Sequence, residues 1–185
     1  MTDDAIDYGP LAALVGAWQG DRGMDIAPEP DGTEQNPYYE TLTFEAIGDV
    51  DNAEQQTLAV LHYVQIVRRK SNDEVFHHET GYWMYDAATG DVMHSLAIPR
   101  AVVLLAGGSA TVADGVTTIN VEAEADSFDW SVAQSPFMRD NAKTLGFKQT
   151  LVVDGDTLNF SETTFLDIYG RKFDHTDNNV LTRVG

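Results

Sequence analysis

After Gly16 the chain runs in short stretches rich in Val, Ile, Thr, Tyr, Phe and Trp, with apolar residues mainly at every second position. That period sends successive side chains to opposite faces of an extended strand. It places strands near 17–26, 38–47, 56–69, 75–85, 91–98, 101–106, 110–113, 116–123, 129–134, 144–153 and 157–168. The linking stretches DAATGD (86–91), VADGVT (112–117) and VDGDTL (153–158) set Asp or Gly between alternating runs, as hairpin turns require. Sequence neighbours are therefore expected to be sheet neighbours. A sheet of about ten strands must close or fold over to remove its edges. The expected fold is all-β: a single antiparallel up-and-down β-barrel, preferred over a sandwich. Its one helix, Tyr8 to Val15, has Pro10 in the first turn and Leu11, Leu14 and Val15 on one face, and is expected to close one end. Such a barrel encloses more space than its own side chains readily fill, which leaves room for one apolar ligand.

Size supports one domain over residues 1–185, since 43% hydrophobic residues suffice for one sizeable core. The 30 acidic and 11 basic residues give a formal charge of −19, which opposes nucleic acid and anionic membrane surfaces as partners. The acidic residues are scattered and assign no function. With no cysteine, disulfides, thiolate metal sites and cysteine nucleophiles are excluded, so a metal must bind through His, carboxylate or a cofactor. The N-terminal stretch lacks the basic region and apolar length of a secretory signal, and no segment reaches the roughly 20 apolar residues of a membrane helix. A soluble, cytoplasmic protein is the expectation, with a homodimer an allowed assembly.

Three stretches carry more information. LVGAWQG sets Gly16, Trp18 and Gly20 where the helix meets the first strand, so Trp18 is expected to plug the closed end. VFHHETGYWMYDAATGDVMHSLAIP (75–99) holds His77, His78 and His94. His77 and His78 are adjacent in a strand, so only one of them can face a pocket. His62 and His94 share the parity of apolar neighbours along their strands. The third stretch, RKFDHTDNNVLTRVG, carries His175 near the C-terminus.

Together the G-x-W-x-G opening, the FHHETGY segment and the C-terminal histidine resemble the nitrobindin family, haem-binding barrels related to fatty-acid-binding proteins. The resemblance implies haem b, with His175 as the proximal ligand of ferric or ferrous iron and His77 as a pocket histidine. It also implies nitric oxide binding or peroxynitrite isomerisation. Trp18 and Tyr82 are expected to bind the cofactor, with Phe44, Met93, Leu96, Phe137 and Phe165 as further wall candidates. Lys143, with Arg100 and Arg139, is expected to meet the propionates, because basic residues are scarce. The chain departs from the pattern at Phe173-Asp174 before the histidine and in the stretch 135–147, and the hydrophilic stretch 27–40 is expected to lengthen the first loop.

Other readings stay open. A metal-free barrel would hold a fatty-acid-like or other small apolar ligand. A small-barrel enzyme would use Tyr82, Glu79 and a histidine for acid–base work on a phenolic acid. Asp174 and Asp177 flank His175, and a hydrogen-bonded carboxylate pair there would pin the last strand instead. Glu122 and Glu124 read as a solvated face and GDVDNAE (48–54) as a turn, and no nucleotide or conventional hydrolase motif is present.

Overall fold

In the computed structural model, which describes residues 6–184, eleven antiparallel strands form the chain. They are β1 (Gly16–Glu29), β2 (Gly32–Asn52), β3 (Gln56–Arg69), β4 (Val75–Asp86), β5 (Asp91–Ile98), β6 (Val102–Ala113), β7 (Val116–Glu124), β8 (Ser131–Gln134), β9 (Ala142–Asp154), β10 (Thr157–Ile168) and β11 (Arg171–Val184). The sheet runs β5-β4-β3-β2-β1-β11-β10-β9-β7-β6, and β5 pairs with β6 to close a ten-stranded barrel. β8 is the extra strand, laid on the Val102–Leu105 end of β6 that β7 leaves free. Among the described residues, no helix is long and apolar enough to cross a membrane.

The closed end is built as the sequence suggests, in a tighter form. A 3₁₀ turn, Gly9–Ala13, stands where a two-turn α-helix was expected. Leu11 and Leu14 are fully buried beneath it, and Trp18 donates its indole N–H to the Leu14 carbonyl at 2.7 Å. Arg183 of β11 lies over the Trp18 ring at 4.1 Å. Its guanidinium donates to the carbonyls of Ala13 and Val15, so one cation satisfies backbone groups that the turn leaves without partners.

Several expected boundaries change, each for a local reason. The stretches 101–106 and 110–113 are one strand, β6, which passes through Gly107 and Gly108. A Cβ at Gly107 would stand 2.1 Å from the Trp130 ring, so the glycine there is the seat of that ring rather than a break. The hydrophilic stretch 27–40 is not a long loop: β1 and β2 stay paired to Glu29↔Gly32 around Pro30-Asp31. The Asp114-Gly115 turn has φ of 53° and 82°, the left-handed pair of a type I′ hairpin. GDVDNAE is mostly strand, with the turn beginning only at Ala53. β11 was not delimited by apolar periodicity, because its inward positions alternate as Phe173, His175, Asp177, Asn179 and Leu181. A six-residue helix, α1 (Pro136–Asn141), was not anticipated. Its signal was legible: Ser135 caps it by accepting from Met138 N at 3.2 Å, and Pro136 opens the first turn.

The interior is layered along the barrel axis. Next to the closed end lies an apolar layer that includes Trp18, Ile119, Val153, Leu158 and Leu181. Phe44, Tyr63, Trp83, Phe147 and Phe160 fill the middle. Toward the opposite end the same inward positions turn polar, with Glu40, Gln65, Glu79, Gln149 and Asn179 buried. That end is the open mouth.

Candidate functional site at the barrel mouth

The mouth begins with a buried hydrogen-bonded chain rising from the core. His94 on β5 is fully buried and stacks on Trp83 at 4.1 Å, with 8° between the planes. Tyr63 on β3 donates its hydroxyl proton to Glu79 Oε1 at 2.6 Å. Its oxygen therefore accepts from His94 Nε2–H at 2.9 Å, and His94 Nδ1, which has no partner, is the unprotonated nitrogen. Burial lowers the His94 pKa to about 4, so this imidazole is neutral. Glu79 then meets His77 Nε2 at 3.3 Å. Burial alone would raise Glu79, but the hydrogen bond and charge of His77 outweigh it, and the net shift is downward. The parity question at His77-His78 is answered: His77 shares the inward face with Glu79, and His78 faces solvent.

A second cluster stands on the neighbouring strands. His175 Nε2 lies 2.6 Å from Asp25 Oδ1 and 3.5 Å from Asp177 Oδ2. Asn36 donates to the other Asp25 oxygen at 2.9 Å, and Arg69 donates to Asn36 Oδ1 at 2.9 Å. Burial lowers the His175 imidazole, but the Asp25 hydrogen bond and the charges of Asp177 and Asp25 carry it above the ordinary histidine value. Asp177 is pushed up to about 7, chiefly by burial. Glu162, beside Asp177 in the ladder, is raised well above the carboxylate range by burial and by the charges of Glu79 and Asp177. Glu40 is raised by burial in spite of hydrogen bonds from Gln65 and Asn179. Five carboxyl groups thus share the upper barrel with two imidazoles, and protonation of some of them relieves the excess charge.

His77 and His175 reach the mouth from β4 and β11, with three strands between them one way round the barrel and five the other. Their side chains are 29% and 31% exposed, so both are accessible from outside. Ile98, Leu166, Ile168 and Phe173 give the lip half-buried apolar surface. Within the polar layer the space is small: a void of about 10 Å³ lies against Gln65, Glu79, Trp83 and Gln149. Gln149 Oε1, buried without a partner, belongs to the same wall.

Other expected site residues lie elsewhere. Trp18 is buried at the closed end, and its indole N–H is spent on Leu14. Tyr82 is 44% exposed and points outward. With His62, whose ring centroid is 5.5 Å away, it lines an outer groove of about 620 Å³ that also includes Val103 and Leu105. The apolar parity of His62 was real, but both faces of β3 are apolar there. Phe44 and Leu96 face inward in the core; Met93 and Phe165 lie off the inward register. Phe137 is 69% exposed on α1. Lys143 pairs with Asp126 at 3.6 Å and Arg139 with Asp140 at 2.9 Å. Arg100 stands in the β5–β6 turn, where its charge acts on His77. Sequence reasoning missed Asp25, Glu40, Tyr63 and Glu162, which carry much of the site's electrostatics.

A family model described as the THAP4-like, heme-binding beta-barrel domain matches residues 7–183. The chain belongs to that family. The nitrobindin-like haem-binding barrel expected from the sequence is thus the family shown. No curated protein matches this haem-binding-family barrel in sequence. Among solved structures it is similar to that titled crystal structure of Rv2717c from M. tuberculosis, with a TM-score of 0.69 at 23% identity. The likeness covers 97% of this chain and 100% of that one, and it supports the fold.

The residues fit haem in donor type and position. An iron ligand without cysteine must be imidazole, Met, Tyr or carboxylate, and the two accessible imidazoles are at the mouth with an apolar lip around them. Two features of the structure stand against it: the void in the polar layer is about 10 Å³, and His175 Nε2 is engaged by Asp25, which leaves Nδ1 as its open nitrogen.

Proposed function

We propose that this barrel binds haem at its mouth, with the His175 imidazole as the protein ligand of iron and His77 opposite it, not bonded to the metal. The observation that carries the reading is the convergence of these two histidines, from widely separated strands, on the one open end of a haem-binding-family barrel. The absence of cysteine excludes a thioether-linked haem, and haem b is the form proposed. When bound, the iron supplies a site for nitric oxide or for peroxynitrite isomerisation. The chain's own part is to hold and shield. Asp25 holds His175 through Nε2, so Nδ1 is the nitrogen left for iron, and it binds only when free of its proton. Glu79 fixes His77 through Nε2, so Nδ1 is the nitrogen left to meet a ligand. Leu166, Ile98 and Phe173 offer apolar contact to the porphyrin edge, and Arg100 offers a cation to a propionate.

For the metal-free reading, the void inside the polar layer, about 10 Å³, is too small for a fatty-acid-like molecule, and the outer groove of about 620 Å³ beside His62 and Tyr82 is the space large enough to take one. Haemin titration of the purified protein tests the proposal. A saturable Soret band that His175→Ala abolishes, and that His77→Ala keeps with altered nitric oxide binding, is expected. Saturable binding that survives His175→Ala would remove the ligand assignment, and no binding by the wild type would remove the proposal.

A further inference from the structure

The buried row of side chains below His77 includes a phenol that haem binding does not use. Tyr63 is 2% exposed, and its hydroxyl is held from two sides: it donates to Glu79 Oε1 at 2.6 Å and accepts from His94 Nε2 at 2.9 Å. A phenol in a dry interior resists oxidation, because loss of an electron alone leaves an unscreened cation there. The penalty is avoided when the proton leaves with the electron. Tyr63 has the acceptor in place, since Glu79 stands on the neighbouring strand and already holds the phenol proton in a short, charge-assisted bond. His94 does not compete for that proton, because its Nε2 carries one of its own. Its N–H stays on the phenol oxygen after the proton has gone.

The same row reaches the surface. Glu79 Oε2 meets His77 Nε2 at 3.3 Å, and His77 is 29% exposed, so the phenol oxygen lies two polar contacts below an accessible imidazole. Around the ring the core is closed: Tyr63 stacks on Phe44 at 6.1 Å and lies 5.1 Å from His94, whose far neighbour is Trp83. The exposed phenols, Tyr82 and Tyr169, have no such shelter.

We propose that Tyr63 is a buried one-electron donor to oxidants that arrive at the barrel mouth, with Glu79 as its proton acceptor. In the step the Tyr63 O–H bond breaks, its proton passes to Glu79 Oε1 to give the carboxylic acid, and one electron leaves the ring for a one-electron oxidant, which that electron reduces. A neutral phenoxyl ring remains, with His94 Nε2–H still donating to its oxygen. A one-electron reductant at the mouth reverses both transfers and restores the parent pair. Burial keeps the oxidised ring from coupling with a second one. The step needs no iron, and it stands apart from the assignment of any haem ligand.

The test is photo-oxidation of the full chain, without haem, by a photogenerated ruthenium(III) polypyridyl complex, followed by electron paramagnetic resonance. A Tyr82→Phe/Tyr169→Phe background removes the two exposed phenols. A phenoxyl signal is expected in that background, with its yield lowered by about tenfold or more when either Tyr63→Phe or Glu79→Gln is added, as loss of a charge-assisted partner implies. Glu79→Gln keeps an oxygen for the phenol to donate to but cannot take its proton, so it decides the matter if circular dichroism shows that Tyr63→Phe has lost its fold. A phenoxyl signal undiminished in folded Tyr63→Phe, an indolyl signal in its place, or no radical at all overturns the donor. A signal undiminished in Glu79→Gln overturns the coupled proton transfer on which the proposal stands. Haemin has no part in these outcomes, so failure here leaves the haem reading to its own titration.

Discussion

Tyr63→Phe tests whether the buried chain from His94 to His77 is one connected unit. The ring stays, and so does its stacked contact with Phe44 at 6.1 Å, so the change removes a hydroxyl and little else. Two interactions go with it. The bond donated to Glu79 at 2.6 Å has a charged acceptor, a class worth about 1.5–3 kcal/mol. The second loss leaves the His94 Nε2–H, bonded at 2.9 Å in the parent, buried with no partner, at about 1–3 kcal/mol. The His94 ring then has two unpartnered nitrogens, because Nδ1 already lacks one. Together these give about 3–5 kcal/mol, a large share of the roughly 5–15 kcal/mol that holds an ordinary domain. Urea unfolding followed by tryptophan fluorescence measures it directly, since Trp83 stacks on His94. His94→Leu removes the other partner, and the double variant replaces both ends with apolar groups, so its cost should fall short of the sum of the singles by about 1 kcal/mol or more. A Tyr63→Phe cost below about 1 kcal/mol, or strictly additive singles, would refute the chain as drawn.

The closed end and the titrating mouth give further expectations. Trp18→Ala should lower stability by about 3–5 kcal/mol, as for other buried large-to-small changes, and an unchanged denaturation midpoint would show that Trp18 plugs nothing. Arg183→Met keeps the stem over the Trp18 ring but loses the bonds to Ala13 and Val15. It should cost about 1–3 kcal/mol by differential scanning calorimetry, and no change in Tm would mean that water replaces the guanidinium freely. Stability should fall as pH rises from about 6 to about 8. His77 and His175 have raised pKa values, so their contribution is complete below the unfolded histidine value and is lost as pH climbs through the folded ones. Asp177, held up at about 7, binds a proton in the folded state that it has lost in the unfolded one, which adds a loss of the same sign over the pH units below that value. On the acid side, protonation of Glu79 and His94 erodes the fold, since both values are lowered. Urea midpoints against pH should therefore peak on the acid side of neutrality; a rise between about 6 and 8 would contradict the assigned shifts.

What the sequence disclosed, and what it withheld, follows from where each signal resides. Strand order and closure were legible because period-two alternation and hairpin turns are local, and a sheet of such strands has few ways to remove its edges. The N-terminal turn was legible as an apolar stripe, and its 3₁₀ form was not, because Arg183, 170 residues from Ala13, supplies the partner that permits so short a cap. β11 blurred because half of its inward residues are polar, and the polarity is the site itself. At β3 the alternation of His62 with Leu58, Val60, Val64 and Ile66 looked like an interior face, but the neighbouring positions Leu61 and Tyr63 are buried too, so parity could not choose the inside.

The histidines show the same division more sharply. A single strand's pleat states that His77 and His78 diverge, and the Glu79 contact two residues away decides which one turns inward. For His175 the local sequence offers Asp174 and Asp177 as partners, and Asp174 is exposed while Asp177 stands at the longer distance. The carboxylate that engages the ring is Asp25, 150 residues earlier in the chain. It arrives there through the β1–β11 pairing, which joins the first and last strands of the chain within the barrel wall. The registers that remove the sheet's edges also align Asn36, Asp25 and Asp177 across β2, β1 and β11, so a one-residue slip of β1 against β11 would turn Asp25 to the outer face and leave His175 without it. The state of the C-terminal histidine is therefore a property of sheet register rather than of any motif around the histidine.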